Sequence, residues 1–269
     1  MTKGMILAAG LLALGLAAPA HAGGAPERPS EAWNEIRDQL WPEAEIAPAE
    51  ALIDIDAPTR AADAAIVPVT ITLDPAPGRF VTAMTVIVDE NPAPVAAEFE
   101  FGDAMAGGVT LSTRLRVNAY SNVRVVATLD DGSLHQTARF VKASGGCAAP
   151  AAKDAAAALA SLGKMKLRRF DAPAPGGLAE AQVMVRHPNN SGFQVDQVSL
   201  LHIPAHFVDE MEVTQGGQRL FRMTGGISIS EDPAIRFTYR DNGAETLEVY
   251  THDTDGGEFR QSFPVQTAS

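Results

Sequence analysis

Between residues 67 and 73 every second side chain is apolar: Val67, Val69, Ile71 and Leu73 alternate with Pro68, Thr70 and Thr72. The rhythm returns at 109–117, where Val109, Leu111, Thr113, Leu115 and Val117 alternate with Thr110, Ser112, Arg114 and Arg116. A period of two sends successive side chains to opposite faces of a strand, one toward a core and one toward solvent. Further strands are expected at 81–88, 95–101, 123–129 and 134–142, the last two joined by the hairpin signal Asp130-Asp131-Gly132. Pro68 lacks the N–H a ladder needs and marks an edge position or a strand start. Short strands with no long helix between them predict an immunoglobulin-like antiparallel sandwich over residues 51–147.

The second half has the same style. Strands are expected at 164–169, 181–186, 193–201, 206–214, 218–223, 226–230, 235–240, 245–251 and 258–265. Gly216-Gly217, Asp241-Asn242-Gly243 and Asp255-Gly256-Gly257 mark turns between them. Residues 164–269 therefore read as a second antiparallel sandwich, and the whole as an all-β chain of two β-sandwiches burying apolar faces against each other. Helix is expected only in short pieces. Ser30 can cap one with Trp33, Ile36 and Leu40 on one face, ended by Pro42 and packed on the domain that follows. The Ala-rich linker 148–163 allows another, opened by Pro150, and equally allows a flexible connection.

Residues 1–22 have the layout of a cleavable secretory signal: Lys3, an apolar run from Met5 to Ala18, then Ala20-His21-Ala22. The run is shorter than a membrane span needs. Export to the periplasm is the expectation, with residues 23–50 as an N-terminal extension. Asp and Glu number 33 against 21 Lys and Arg, for a formal charge of −12. That balance argues against nucleic-acid or anionic-membrane partners, which need clustered cations.

Cys147 is the single cysteine. An exported chain uses cysteines in pairs, so an unpaired one points to a reactive thiol or an intermolecular bond. Its setting, Ser144-Gly145-Gly146-Cys147-Ala148-Ala149-Pro150, contains small residues and no large apolar anchor. The reading is an exposed thiol on a flexible arm, with the glycines as a pliable tether. From Lys142 the extended chain would reach roughly 20 Å to Cys147 at about 3.3–3.6 Å per residue. Lys164, Lys166, Arg168 and Arg169 form a basic run, and Lys164 and Arg168 would favour the thiolate if the fold brings them near.

Other candidates carry less. His202 and His206 are four apart, but Pro204 breaks the helix that a zinc pair at that spacing requires; His187 would complete a three-histidine site only if the fold gathered all three. Asp253-Thr254-Asp255-Gly256-Gly257 has some calcium-loop character without the later ligands, and a β-turn explains it better. The sequence has no Ser-His-Asp arrangement, glycine-rich phosphate loop or paired-cysteine motif, so no catalytic centre, metal or cofactor is expected.

Several segments resemble a known family. Ile55-Asp56-Ala57-Pro58, Ile66-Val67-Pro68-Val69, Asp89-Glu90-Asn91-Pro92-Ala93-Pro94 and Gly145-Gly146-Cys147 resemble SoxY, the sulfur-carrier subunit of the thiosulfate-oxidising system. His187-Pro188-Asn189-Asn190-Ser191-Gly192, Ile203-Pro204-Ala205-His206-Phe207 and Ile227-Ser228-Ile229-Ser230-Glu231-Asp232-Pro233 resemble its partner SoxZ. The order and fusion look like quinoprotein dehydrogenase-associated SoxYZ-like carriers. The resemblance implies a non-enzymatic carrier that bears sulfur intermediates on Cys147, with Ser144, Gly145, Gly146, Ala148 and Ala149 as the arm, and delivers them to periplasmic partner enzymes. It departs from the SoxY pattern after the cysteine. Ala148 and Ala149 stand where that family has glycines at a free end, and here the chain continues into the second domain. Three other functions compete: a non-covalent accessory protein of a PQQ-dependent alcohol dehydrogenase, a metal chaperone using Cys147, and a thiol enzyme.

Overall fold

The alternation at 67–73 is realised as a strand with Val67, Val69, Ile71 and Leu73 buried and Pro68 exposed. The computed structural model describes residues 24–49, 51–150, 155–170 and 174–265; the expected signal segment lies outside them. In the first half the elements are β1 (Ala25–Pro26), α1 (Glu31–Leu40), β2 (Ile46–Pro48), β3 (Ile53–Asp56), β4 (Val67–Leu73), β5 (Val81–Val88), β6 (Val95–Phe101), α2 (Asp103–Ala106), β7 (Val109–Leu115), β8 (Ser121–Leu129) and β9 (Leu134–Val141). After α3 (Ala155–Ala160) come β10 (Met165–Arg169), β11 (Leu178–Val185), β12 (Val208–Gln215), β13 (Gln218–Gly225), β14 (Ala234–Arg240), β15 (Thr246–Asp253) and β16 (Glu258–Pro264).

The strands form two sheets. One has ten strands in the order β1-β9-β8-β5-β6-β13-β12-β15-β16, with β2 pairing β9 in addition; the other runs β10-β11-β14-β7-β4-β3. The all-β, antiparallel expectation holds, apart from the short parallel pairing of β2 with β9. The way the halves meet differs from two sandwiches stacked by their faces. They join edge to edge in both sheets, β6 with β13 and β7 with β14. At the first joint Glu100 stands opposite Arg222 and Phe99 opposite Met223. The core then runs across the seam, with Phe99 and Phe221 rings 5.9 Å apart and Phe221 and Phe237 5.1 Å apart. Aromatic rings at such spacings gain from edge contacts as well as from burial.

Helix α1 is capped as its sequence predicts: the Ser30 hydroxyl accepts the Trp33 N–H. Trp33 is buried on the sheet, its ring under the Arg124 guanidinium at 4.1 Å. Arg124, itself buried, pairs with Asp89 at 3.0 Å and Glu27 at 2.8 Å. The tryptophan is a packing residue. In the linker, α3 begins at Ala155, and residues 151–154, including the expected helix start after Pro150, lie outside the described residues.

Two expected strands are loops. At 193–201 the alternation is overridden by Asp196, whose carboxylate accepts the N–H groups of Val198 and Ser199 and curls the chain into a turn. At 226–230 the Gly226 N–H donates to Ala96 and the Ile229 N–H to Gly226, while the hydroxyls of Ser228 and Ser230 donate to Ala93 and Ala65 of the other half. Both segments use local or inter-half bonds in place of a ladder.

Candidate functional site

Past β9, Lys142 makes a parallel bridge with Arg60, and the chain then enters the seam between the halves. Gly145 takes φ +79°, which an L side chain rarely adopts, and a turn closes with the Ala148 N–H donating to Gly145. The Gly145 and Gly146 N–H groups donate to Asn118 and Val117. Gly146 is required by closeness: a Cβ there would lie 2.1 Å from the Ala64 carbonyl oxygen and 2.7 Å from that of Val117. From the other half, the Ser191 hydroxyl donates to the Cys147 carbonyl at 2.5 Å and the Gln194 amide to the Ala149 carbonyl at 3.1 Å.

These contacts turn the thiol inward. Ser144, Gly145 and Ala148 are exposed, whereas Cys147 has 0% of its surface accessible. This corrects the expectation of an exposed thiol on a loose arm. The glycines serve a tight turn and a close approach, and the arm is docked. Burial pushes the Cys147 thiol above its ordinary pKa, and the nearby charge of Arg116 offsets part of that rise. The resting thiol is protonated and shielded.

Arg116 is the basic group at the thiol, and the sequence pattern concealed it. The alternation at 109–117 assigns it to a solvent face, but the second half covers that face and leaves Arg116 only 2% exposed. Its Nη2 donates to the Asn189 carbonyl at 2.9 Å and its backbone N–H to Ser228 at 2.7 Å; its Nε has no hydrogen-bond partner. Lys164 borders a cavity of about 710 Å³ together with Arg116, Ala149 and Pro150. Arg168, expected beside it, stacks on Phe170 at 4.7 Å and does not line this cavity.

Asn91 ties the seam behind the arm. Its amide donates to the Arg116 carbonyl at 2.7 Å and to the Ser228 hydroxyl at 2.8 Å, and its Oδ1 accepts the Asn118 N–H at 2.8 Å. Asn118 in turn holds the arm, its Oδ1 accepting the Cys147 N–H at 3.4 Å. The Asn91 amide is thus spent on the residue after β7, on the 226–230 loop and on the arm's anchor.

The histidines group differently from their spacing. His202 bridges Val195 in the 193–203 loop, while His187, His206 and Asp253 bring donor atoms within 4.8 Å of one another. The Nδ1 of His187 accepts the Asn189 N–H at 3.0 Å, which leaves the ring proton on Nε2, facing Asp253 at 3.4 Å. A metal at Nε2 would have to displace that proton, so the trio fits a hydrogen-bonded brace better than a metal cage. Burial holds His187 below the ordinary histidine pKa. Asp253 also accepts the N–H groups of Asp255 and Gly257, which makes the segment with calcium-loop character a carboxylate-centred turn.

Residues 37–147 match the family model for the sulfur oxidation protein SoxY. Residues 167–264 match that for the sulphur oxidation protein SoxZ. The chain joins a SoxY domain to a SoxZ domain. Cys147 is the last residue of the SoxY match, and the groups that pin its carbonyl and that of Ala149 belong to the SoxZ domain. Among solved structures, the sulfur carrier protein SoxY from Chlorobium limicola f thiosulfatophilum is 27% identical, covering 41% of this chain and 94% of that one at a TM-score of 0.33. A β-glycosidase from Bacteroides vulgatus aligns over 79% of this chain and 24% of that one, at 8% identity and a TM-score of 0.24. No curated protein matches the chain.

Proposed function

We propose that this protein is a covalent carrier that holds sulfur on Cys147 and passes it between enzymes. The observation that supports this most is the position of the thiol: the end of the SoxY match, in a Gly-Gly-Cys turn fastened to the SoxZ domain by side-chain bonds from Ser191 and Gln194. A structural cysteine would sit on a strand inside the sheet core. This one sits in a turn that a few hydrogen bonds hold down, with Gly145 and Ala148 exposed.

The chemistry needs no cofactor. With the turn lifted, the thiol regains water and its pKa falls toward the ordinary range. The thiolate attacks the outer sulfur of a persulfide R–S–S⁻, the S–S bond of the donor breaks, and R–S⁻ leaves, so electrons and atoms balance. Cys147 then bears one extra sulfur, and a second thiolate removes it by the same exchange. The turn is held at both ends by the sandwich, so the movement is the rise of a closed loop. We place this carrier in the periplasm, from the signal-like residues 1–22. The fused SoxY–SoxZ order supports grouping it with carriers associated with quinoprotein dehydrogenases, whose enzymes would then be the partners.

Incubation with glutathione persulfide tests the exchange. The wild type is expected to gain the mass of one sulfur and lose it on addition of a reducing thiol, while Cys147→Ser gains nothing. Equal labelling of both proteins would remove Cys147 from the role.

A further inference from the structure

The exchange at Cys147 makes no use of the buried histidine pair, yet that pair underlies the residues that hold the arm down. His187 and His206 meet edge to face with ring centres 4.6 Å apart. His187 is only 2% exposed, but both rings line a cavity of about 520 Å³ whose wall reaches the exposed Leu159 and Val198, so protons reach them from that side. The Nδ1 of His187 accepts the Asn189 N–H at 3.0 Å. Asn189 has φ +44°, a left-handed conformation that a non-glycine residue keeps only where its surroundings impose it. Its carbonyl accepts from Arg116, and two residues on, the Ser191 hydroxyl donates to the Cys147 carbonyl. Asn190 between them exchanges both backbone hydrogen bonds with His206. One short segment thus joins both imidazoles to the tether of the thiol.

We propose that His187 is a proton-operated latch on the Cys147 turn. A neutral imidazole accepts at Nδ1 while its proton sits on Nε2, whereas an imidazolium carries protons on both nitrogens and accepts at neither. Protonation of His187 therefore sets a ring N–H against the Asn189 N–H. The left-handed turn at Asn189 loses the bond that holds it, the 189–191 segment shifts, and the Ser191 tether lets the arm rise. Charged groups surround the ring on several sides. Asp253 at the end of β15 faces Nε2 at 3.4 Å, and Asp255 in the turn after it faces His206 at 3.5 Å. Asp232 accepts the His187 backbone N–H at 3.2 Å and pairs with Arg186. Glu231 borders the same cavity, and Arg116 lies beyond Asn189, 2.9 Å from its carbonyl. Burial and the His206 ring outweigh the carboxylates and hold His187 below the ordinary histidine range. The docked arm thus takes up this proton less readily than the open one. Opening is favoured as pH falls below the ordinary histidine value of about 6.5, and the gain ends at the lower value of the docked state. A carrier so built exposes its thiol for loading and unloading more readily in acid surroundings. That use rests on the carrier reading; the latch itself does not.

The test uses the full chain and dipyridyl disulfide, which stays reactive toward thiols in acid. Cys147 attacks its S–S bond, one pyridylthio group stays on the cysteine, and the other leaves as thiopyridone with the thiol's proton. Dividing the rate for the urea-unfolded chain by that for the folded chain at each pH removes the intrinsic chemistry and leaves the protection of the thiol. With one proton taken up per opening, that protection is expected to fall about tenfold between about pH 7.5 and 5.5, with far-UV circular dichroism unchanged. His187→Asn keeps an acceptor oxygen in place of Nδ1 and does not titrate. Its protection is expected to equal the wild type's at the upper pH and to stay flat down to the lower. Imidazole nitrogen shifts of the wild type, read by NMR, give a second measurement that needs no variant: His187 is expected to carry its proton on Nε2 and to titrate below the ordinary histidine value. A flat wild-type profile, the same loss of protection in His187→Asn, a loss of dichroism in step with it, or a His187 protonated on Nδ1 at the upper pH overturns the latch. None of these results bears on persulfide exchange at Cys147, whose failure would instead leave a gated thiol without cargo.

Discussion

Replacing Gly146 with alanine is expected to speed alkylation of Cys147 by iodoacetamide at least about tenfold, since each unit of thiol pKa is a tenfold change in thiolate. The added methyl would sit 2.1 Å from one backbone oxygen and 2.7 Å from another, and neither the Ala64 nor the Val117 carbonyl can turn away as a flexible side chain would. The turn must rise. Once it does, the thiol leaves its fully buried position, its raised pKa falls back, and both access and thiolate fraction increase. The wild type should label slowly, with a rate that climbs only at higher pH than for a free cysteine. Ser191→Ala and Gln194→Ala, which each remove one tether, should fall between the two proteins. Equal rates for wild type and Gly146→Ala would show that the docked turn is not what shields the thiol.

The second large effect concerns the halves. Neither is expected to fold alone, and the whole chain should unfold in one transition. A SoxY half without its partner would uncover the edges of β6 and β7, and a SoxZ half those of β13 and β14. Each would also strip one side from the aromatic cluster of Phe99, Phe221 and Phe237. The joint is tight enough to probe by one methyl group. At Gly102 a Cβ would lie 1.9 Å from the Arg219 carbonyl oxygen across the seam, although its φ of −83° suits any residue. Gly102→Ala should therefore cost about 1–3 kcal/mol as overpacking. Far-UV circular dichroism and calorimetry decide the matter: two independent transitions, with each half soluble and folded on its own, would contradict a shared fold.

The strands within each half were legible because their alternation is local. Val67 to Leu73 needs only its own neighbours to define an inside and an outside. What crosses between the halves was not. The edge pairing of β6 with β13 carries no local signal beyond Glu100 and Arg222, which meet only once the fold is made. Arg116 misled for the same reason: its cover comes from Asn189, far along the chain. At 193–201 the pattern was right for a strand, but the Asp196 side chain offered the backbone a competing set of bonds and won. Gly146 was read as freedom when its role is close approach, a distinction that depends on Ala64 and Val117 standing behind it. Cys147 itself was legible, because a single cysteine in a run of small residues needs no fold to be noticed.

The most direct test of covalent carriage is the intact mass of the protein isolated without reductant from the cells that make it. The account predicts a set of species heavier than the unmodified protein by one sulfur atom or by a sulfonate-terminated sulfur chain, all located on Cys147 and all lost on treatment with a reducing thiol. The Cys147→Ser protein, isolated in the same way, should show the unmodified mass alone. A single unmodified mass for the wild type under conditions where its partner enzymes are active would contradict the account.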